Sequence, residues 1–105
     1  MARDFKFDAD QAAALLGLLA NAHRLEVLGR ITRQEWSVSA LAEEVNLSQS
    51  ALSQHLSKFR QADVVEIRRD AQTIYYSCSA DAILKVLATL DEISHKNSSE
   101  AKTVA

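Results

Sequence analysis

Between Ser48 and Gln61 the side chains sort into two kinds at helical spacing. Leu52, Leu56 and Phe59 fall together on a helical wheel, while Ser50, Ser53, Gln54, Ser57 and Gln61 cluster opposite. An ordinary solvated helix face is lined by Lys and Glu, whereas this one is amide and hydroxyl. Glutamine pairs bidentately with adenine, and serine bonds to several base edges in the major groove. The helix would be about 20 Å long at about 1.5 Å per residue, and its leading residues would enter a groove deepest. Gln49, Ser50, Ser53 and Gln54 are therefore expected to read bases. The competing reading is a Ser/Gln-rich face that meets only water, so the neighbouring segments must decide.

Other reactive groups are sparse. Asp91 and His95 stand one helical turn apart, which gives two ligands where a metal site takes four. Cys78 is the one cysteine, at the end of a predicted strand, and reads as a partly buried apolar residue. His55 lies on the flank of the core stripe and reads as a packing or hydrogen-bonding residue, and His23 as solvated or dimer-facing. Trp36 reads as core. No nucleophile has an evident base and orienter, and the three histidines fall on separate elements, so catalysis is not expected.

The segments around the 48–61 helix supply the missing context. Ser37 or Ser39 can cap a brief helix containing Leu41, Ala42 and Val45. Asn46 then tolerates the left-handed conformation of a sharp turn, and Leu47 can plug that turn into the core. Ser48 N-caps the next helix. After Asp63 the period changes to two. Val65–Arg69 and Thr73–Cys78 read as strands of a hairpin about Asp70–Gln72. Arg68, Arg69, Gln72 and Thr73 surround its tip, and arginine there suits phosphate or a narrow groove. The alternative is that these are edge-strand charges that block aggregation. Ser48, Ser57 and Lys58 join the wing residues as expected backbone contacts, and Lys58 and Arg60 can reach the flanking strands.

Two further helices flank this unit on its N-terminal side. One spans 8–20, with Ala12, Leu15, Leu16 and Leu19 in register; the other follows an Asn21 cap, with Leu25, Leu28 and Ile31 on one stripe. Gly17 and Gly29 each cost about 1 kcal/mol in a helix, for which close packing against a neighbour is the expected compensation. From Ala80 a last helix carries Ile83, Val86, Leu87, Leu90 and Ile93 on one seam. The seams of 9–20 and 81–95 are wider than one protomer can cover. A homodimer through Leu15, Leu16, Leu19, Ile83, Val86, Leu87 and Leu90 is the expectation.

Length and composition bound the rest. The chain has 105 residues, 48% hydrophobic and 25% charged, with no proline and two glycines, which fits one mainly helical domain. Residues 1–8 and 96–105 are expected to be flexible ends. Net charge is −2, excluding a uniformly basic coat, and only residues 48–75 are net positive. No apolar run approaches the about 20 residues that span a bilayer, and MARDFKFDAD has no signal-peptide core. A cytoplasmic, reducing location is expected, without membrane contact.

The run from Leu47 to Ser79, LSQSALSQHLSKFRQADVVEIRRDAQTIYYSCS, resembles the winged-helix core of the ArsR/SmtB repressor family, in its non-metal branch. LSQSALSQHL and RRDAQTIYY carry the specific likeness. A looser one extends from about Ala13 through Ile93, where ANAHRLEVL is similar to the family's ANxxRLxIL. The resemblance implies a mainly α fold with a small β-hairpin wing, a winged helix-turn-helix assembled as a homodimer. It further implies repression from a partly palindromic operator on double-stranded DNA. It also implies which sensors are missing. SVSALAEEV lacks the Cys-x-Cys of one metal site, Asp81 is followed by Ala82 and Ile83 where another needs Asp-x-His, and Gly29 stands at one of two thiol positions. No metal or other cofactor is expected, release by zinc, cadmium or arsenite is not expected, and a small-molecule effector is unidentified.

Overall fold

The computed structural model describes the backbone of residues 5–104 and the side chains of residues 5–96. In chain order the elements are α1 (Ala9–Leu19), α2 (Ala22–Ile31), β1 (Trp36–Ser37), α3 (Val38–Glu44), α4 (Gln49–Gln61), β2 (Glu66–Asp70), β3 (Thr73–Ser77) and α5 (Asp81–Val104). Four helices begin at a side-chain cap read from the sequence alphabet of Asp, Asn and Ser. Asp8, Asn21, Ser37 and Ser48 each accept the backbone N–H three residues on, from Gln11, Arg24, Ala40 and Ala51. Each bond satisfies an amide that the first turn leaves unpaired.

The helix ends obey an equally local rule. Asn46 has φ 57° and Asp63 φ 56°, and each closes its helix with the same paired bonds. Asn46 N–H donates to Glu43 and Leu47 N–H to Ala42; Asp63 N–H donates to Arg60 and Val64 N–H to Phe59. In both cases the residue after the left-handed one, Leu47 or Val64, packs against the core, the apolar contact that accompanies this type of cap.

The sheet has the order β1-β3-β2 and is antiparallel throughout. Its strands differ slightly from expectation: Asp70 pairs with Thr73, so the turn shrinks to Ala71-Gln72, and Ala71 takes φ 57°. The core joins all five helices and the sheet. Val27, Leu28, Ile31, Leu41, Leu52 and Phe59 are at most 1% exposed. Cys78 N–H donates to the Ile31 carbonyl at 2.9 Å, tying the end of the wing to the end of α2.

Several expectations are corrected. The last helix does not stop where its apolar seam fades but continues through Val104; Glu100, Ala101 and Lys102 are strong helix formers, and propensity sustains the backbone there without a seam. Residues 5–7 are outside any helix or strand, and the expectation for 1–4 and 105 lies outside the described residues. A Cβ at Gly17 or Gly29 would meet nothing within 4 Å, so neither glycine is there for close packing within the protomer. Leu19 and Ile83 are 4% and 0% exposed, which commits both to the protomer's own core instead of an interface.

Ala71 marks a weak point in the hairpin. A left-handed alanine costs about 1–2 kcal/mol, and glycine relieves this at an entropic cost of about 0.5–1 kcal/mol. Ala71→Gly should therefore raise stability by about 0.5–1 kcal/mol, read as a higher urea midpoint at fixed protein concentration.

Candidate nucleic-acid interface

Burial on one side of α4 determines what its other side presents. Leu52, Leu56 and Phe59 anchor the helix, and Gln49, Ser50, Ser53 and Gln54 are all exposed. The exposed residues form two stripes. Gln49, Ser53 and Arg60 face the wing across a cleft, while Ser50, Gln54, Ser57 and Gln61 lie on the neighbouring stripe, where the Gln61 amide donates to the Ser57 hydroxyl at 3.4 Å. Ser57 is half-buried and Lys58 exposed. Ser48, spent on capping Ala51, serves first to start the helix.

The hairpin separates its two arginines. Side chains alternate across a strand, so Arg69, opposite Ile74, shares the face of Ile67 and Tyr76, whereas Arg68, opposite Tyr75, lies on the other face. Arg68 is not a free cation. Its guanidinium donates to Glu35 at 2.7, 3.0 and 3.1 Å and lies 4.3 Å over the Tyr75 ring. The hydrogen bond from Arg68 holds the Glu35 carboxyl below the usual carboxylate range, and the same bond raises Arg68. Arg68, expected at the phosphate backbone, thus braces the wing to the segment before β1. Glu35 is 33 residues away in sequence, which is why the partner was not legible there. Arg69, Gln72 and Thr73 remain exposed.

A cleft of about 330 Å³ lies between α4 and the wing, lined by Gln49, Ser53 and Arg60 from one side and Gln72, Thr73 and Ile74 from the other. Arg60 donates from Nη1 to the Tyr76 hydroxyl at 2.8 Å. Behind α4, the histidines expected on unrelated elements meet: the rings of His23 and His55 are 6.1 Å apart. Arg24 joins them, donating from Nε to His55 Nδ1 at 3.3 Å and from Nη1 to the Leu18 carbonyl at 3.2 Å. His55 is pushed below the ordinary imidazole value by burial first, then by the charges of Arg24 and His23. Burial likewise raises the Cys78 thiol, consistent with a small apolar residue. Among the described residues no group of three metal-ligating side chains forms, around Asp91 and His95 or elsewhere.

A helix, a left-handed turn, a capped second helix with a polar outer face and an antiparallel hairpin directly after it define a winged helix-turn-helix. Comparison with known proteins agrees. A helix-turn-helix domain model matches residues 19–68. The nodulation protein NolR of Rhizobium meliloti is 56% identical over 86 residues, covering 82% of this chain and 70% of that protein. The transcriptional activator HlyU of Vibrio cholerae is 34% identical over 91 residues, covering 87% and 84%. The crystal structure of NolR from Sinorhizobium fredii superimposes with a TM-score of 0.78 at 48% identity, covering 89% of this chain and 96% of that one. The chain belongs to the ArsR/SmtB family of winged helix-turn-helix transcriptional regulators, in the branch of NolR and HlyU.

The part-buried contact at His55 makes stability pH-dependent. The unfolded imidazole protonates near 6.5 and the folded one below that, so on acidification the unfolded chain takes up the proton first. This contribution is whole above about 6.5 and is lost as pH falls through and below that value. Urea midpoints measured from pH 7.5 down to about 5 should decline, and His55→Gln should flatten the decline.

Proposed function

We propose that this protein is a homodimeric, sequence-specific repressor that holds a partly palindromic operator on double-stranded DNA, in the cytoplasm. No resident metal, other cofactor or catalytic step enters the reading. The observation that carries it is the outward amide and hydroxyl face of α4, set beside a wing. Gln49, Ser50, Ser53 and Gln54 are the base readers. Lys58, Arg69, Gln72, Thr73 and Ser57 position the backbone, with Ser48 fixing the helix start and Arg68 keeping the wing in place. Repression needs only occupancy of a promoter by this surface.

The dimer reading rests on α1 and α5. Leu16, Leu84, Leu90 and Ile93 are 61%, 41%, 42% and 50% exposed, an apolar surface that a second copy would remove from water. Leu15, Val86 and Leu87, packed against the protomer core, would border it. With about 25 cal/mol recovered per Å² of apolar area, covering such side chains favours association. Leu90→Asp should give monomers in sedimentation at micromolar concentration; an unaltered protein that sediments as a folded monomer overturns this part.

Selection of bound sequences from a random duplex pool tests the whole reading and delivers the operator. Gln49→Ala or Gln54→Ala should cost about 1–3 kcal/mol on that operator and relax preference at particular base pairs. Arg69→Ala should weaken operator and random DNA alike. A promoter fusion should lose output when the protein is expressed, and increased output would make it an activator. Zinc, cadmium or arsenite at stoichiometric levels should leave the DNA complex intact.

A further inference from the structure

We infer that the cleft between α4 and the wing is a phosphodiester seat, in which Arg60, held by Tyr76, grips the DNA strand that separates the groove read by α4 from the groove met by the hairpin. This rests on the reading of α4 as a major-groove helix. A helix in one groove and a hairpin tip in the adjacent one are divided by a single sugar-phosphate strand. That strand must pass between the two elements, and the cleft of about 330 Å³ is the space they leave.

The lining suits a backbone better than a base. Ser39 and Thr73 bring hydroxyls and Gln72 an amide, with the half-buried Val38 and Ile74 as apolar surface for a deoxyribose to lie against. Hydroxyls, amides and guanidinium groups are the usual phosphate contacts. Arg60 supplies the charge, and its orientation is inherited from the sheet. Tyr76 is 3% exposed and fixed between Trp36 on β1 and Ile67 on β2. Its hydroxyl accepts from Arg60 at 2.8 Å, which fixes the direction in which the guanidinium points. A guanidinium ordered before binding loses less freedom when it binds.

Charge pairing points the same way. Glu35 neutralises Arg68, but among the described residues no carboxylate pairs with Arg60. The cation that the hairpin sequence offers most visibly is therefore spoken for, and the one at the end of α4 is held ready. Arg60 binds phosphate, and Tyr76 is a positioning residue that acts through it.

Because a phosphate contact is indifferent to sequence, the test uses a random-sequence duplex and measures affinity across a salt series. Arg60→Ala should lower the magnitude of the log K against log salt slope by about 0.9. Arg60→Gln, which keeps a side-chain donor for Tyr76, should do the same and guards against loss of fold. Tyr76→Phe keeps every charge, so its slope should match wild type while affinity falls at each salt concentration. In an Arg60→Ala background the same change should cost nothing more. Folded Arg60 variants with the wild-type slope would overturn the seat while leaving the DNA-binding reading intact. A Tyr76→Phe loss that persists without Arg60 would overturn the positioning role. A wild-type protein that binds no duplex even at low salt would instead sink the DNA-binding reading itself.

Discussion

The rotation of α4 about its own axis is set by three side chains on its hidden side, and the direction of its polar face follows from that setting. Leu52, Leu56 and Phe59 are buried to 1% exposure or less, each contributing about 1.5–3 kcal/mol. Turning the helix by one residue would bring Leu52, Leu56 and Phe59 out and carry Ser53, Ser57 and Arg60 in, adding unpaired buried polar groups at about 1–3 kcal/mol each. The Ser48 cap and the left-handed Asp63 pin its two ends. The polar face therefore needs no interactions of its own to hold its direction. Its residues are free to be chosen for what they bind.

The wing is oriented by a different means. It has little core of its own: all of β2 is exposed, including Ile67 at 50%. Its position comes from edges and ties. β1 extends the sheet on one side, Cys78 is bonded to the end of α2, and Arg68 spans to Glu35 while lying over Tyr75. Charge used in this way is unavailable for steering, and in a chain of net charge −2 the remaining cations count individually. Their positions matter more than their number.

What the sequence made legible was local. Caps at Asn21, Ser37 and Ser48, the left-handed Asn46, the plug at Leu47 and the apolar stripe of α4 all arise from residues within one or two helical turns of each other. The Asp63 cap belongs to the same class, and its signal was available in a short polar residue between Ala62 and two valines. What escaped depends on distant segments meeting. Glu35 and Arg68, Arg60 and Tyr76, and His23 and His55 are pairs made by packing of separate elements, and no spacing rule announces them. The sorting of one apolar seam into core and surface is of this kind too. Leu19 and Leu16 lie on one face of α1, yet only packing distinguishes 4% exposure from 61%.

Trp36 is the chain's single tryptophan, and it sits in β1 directly across from Tyr76. Its indole Nε1 is buried without an acceptor, while the half-buried ring packs against the core on one side and borders Arg30, Arg33, Gln34 and Glu44 on the other. Indole emission depends on the polarity around the ring, so this side chain is a built-in fluorophore at the joint that sets the wing's attitude. Any opening that admits water beside β3 would register as a red shift of that one signal, with Tyr76 and Arg60 one residue and two residues along the same chain of contacts.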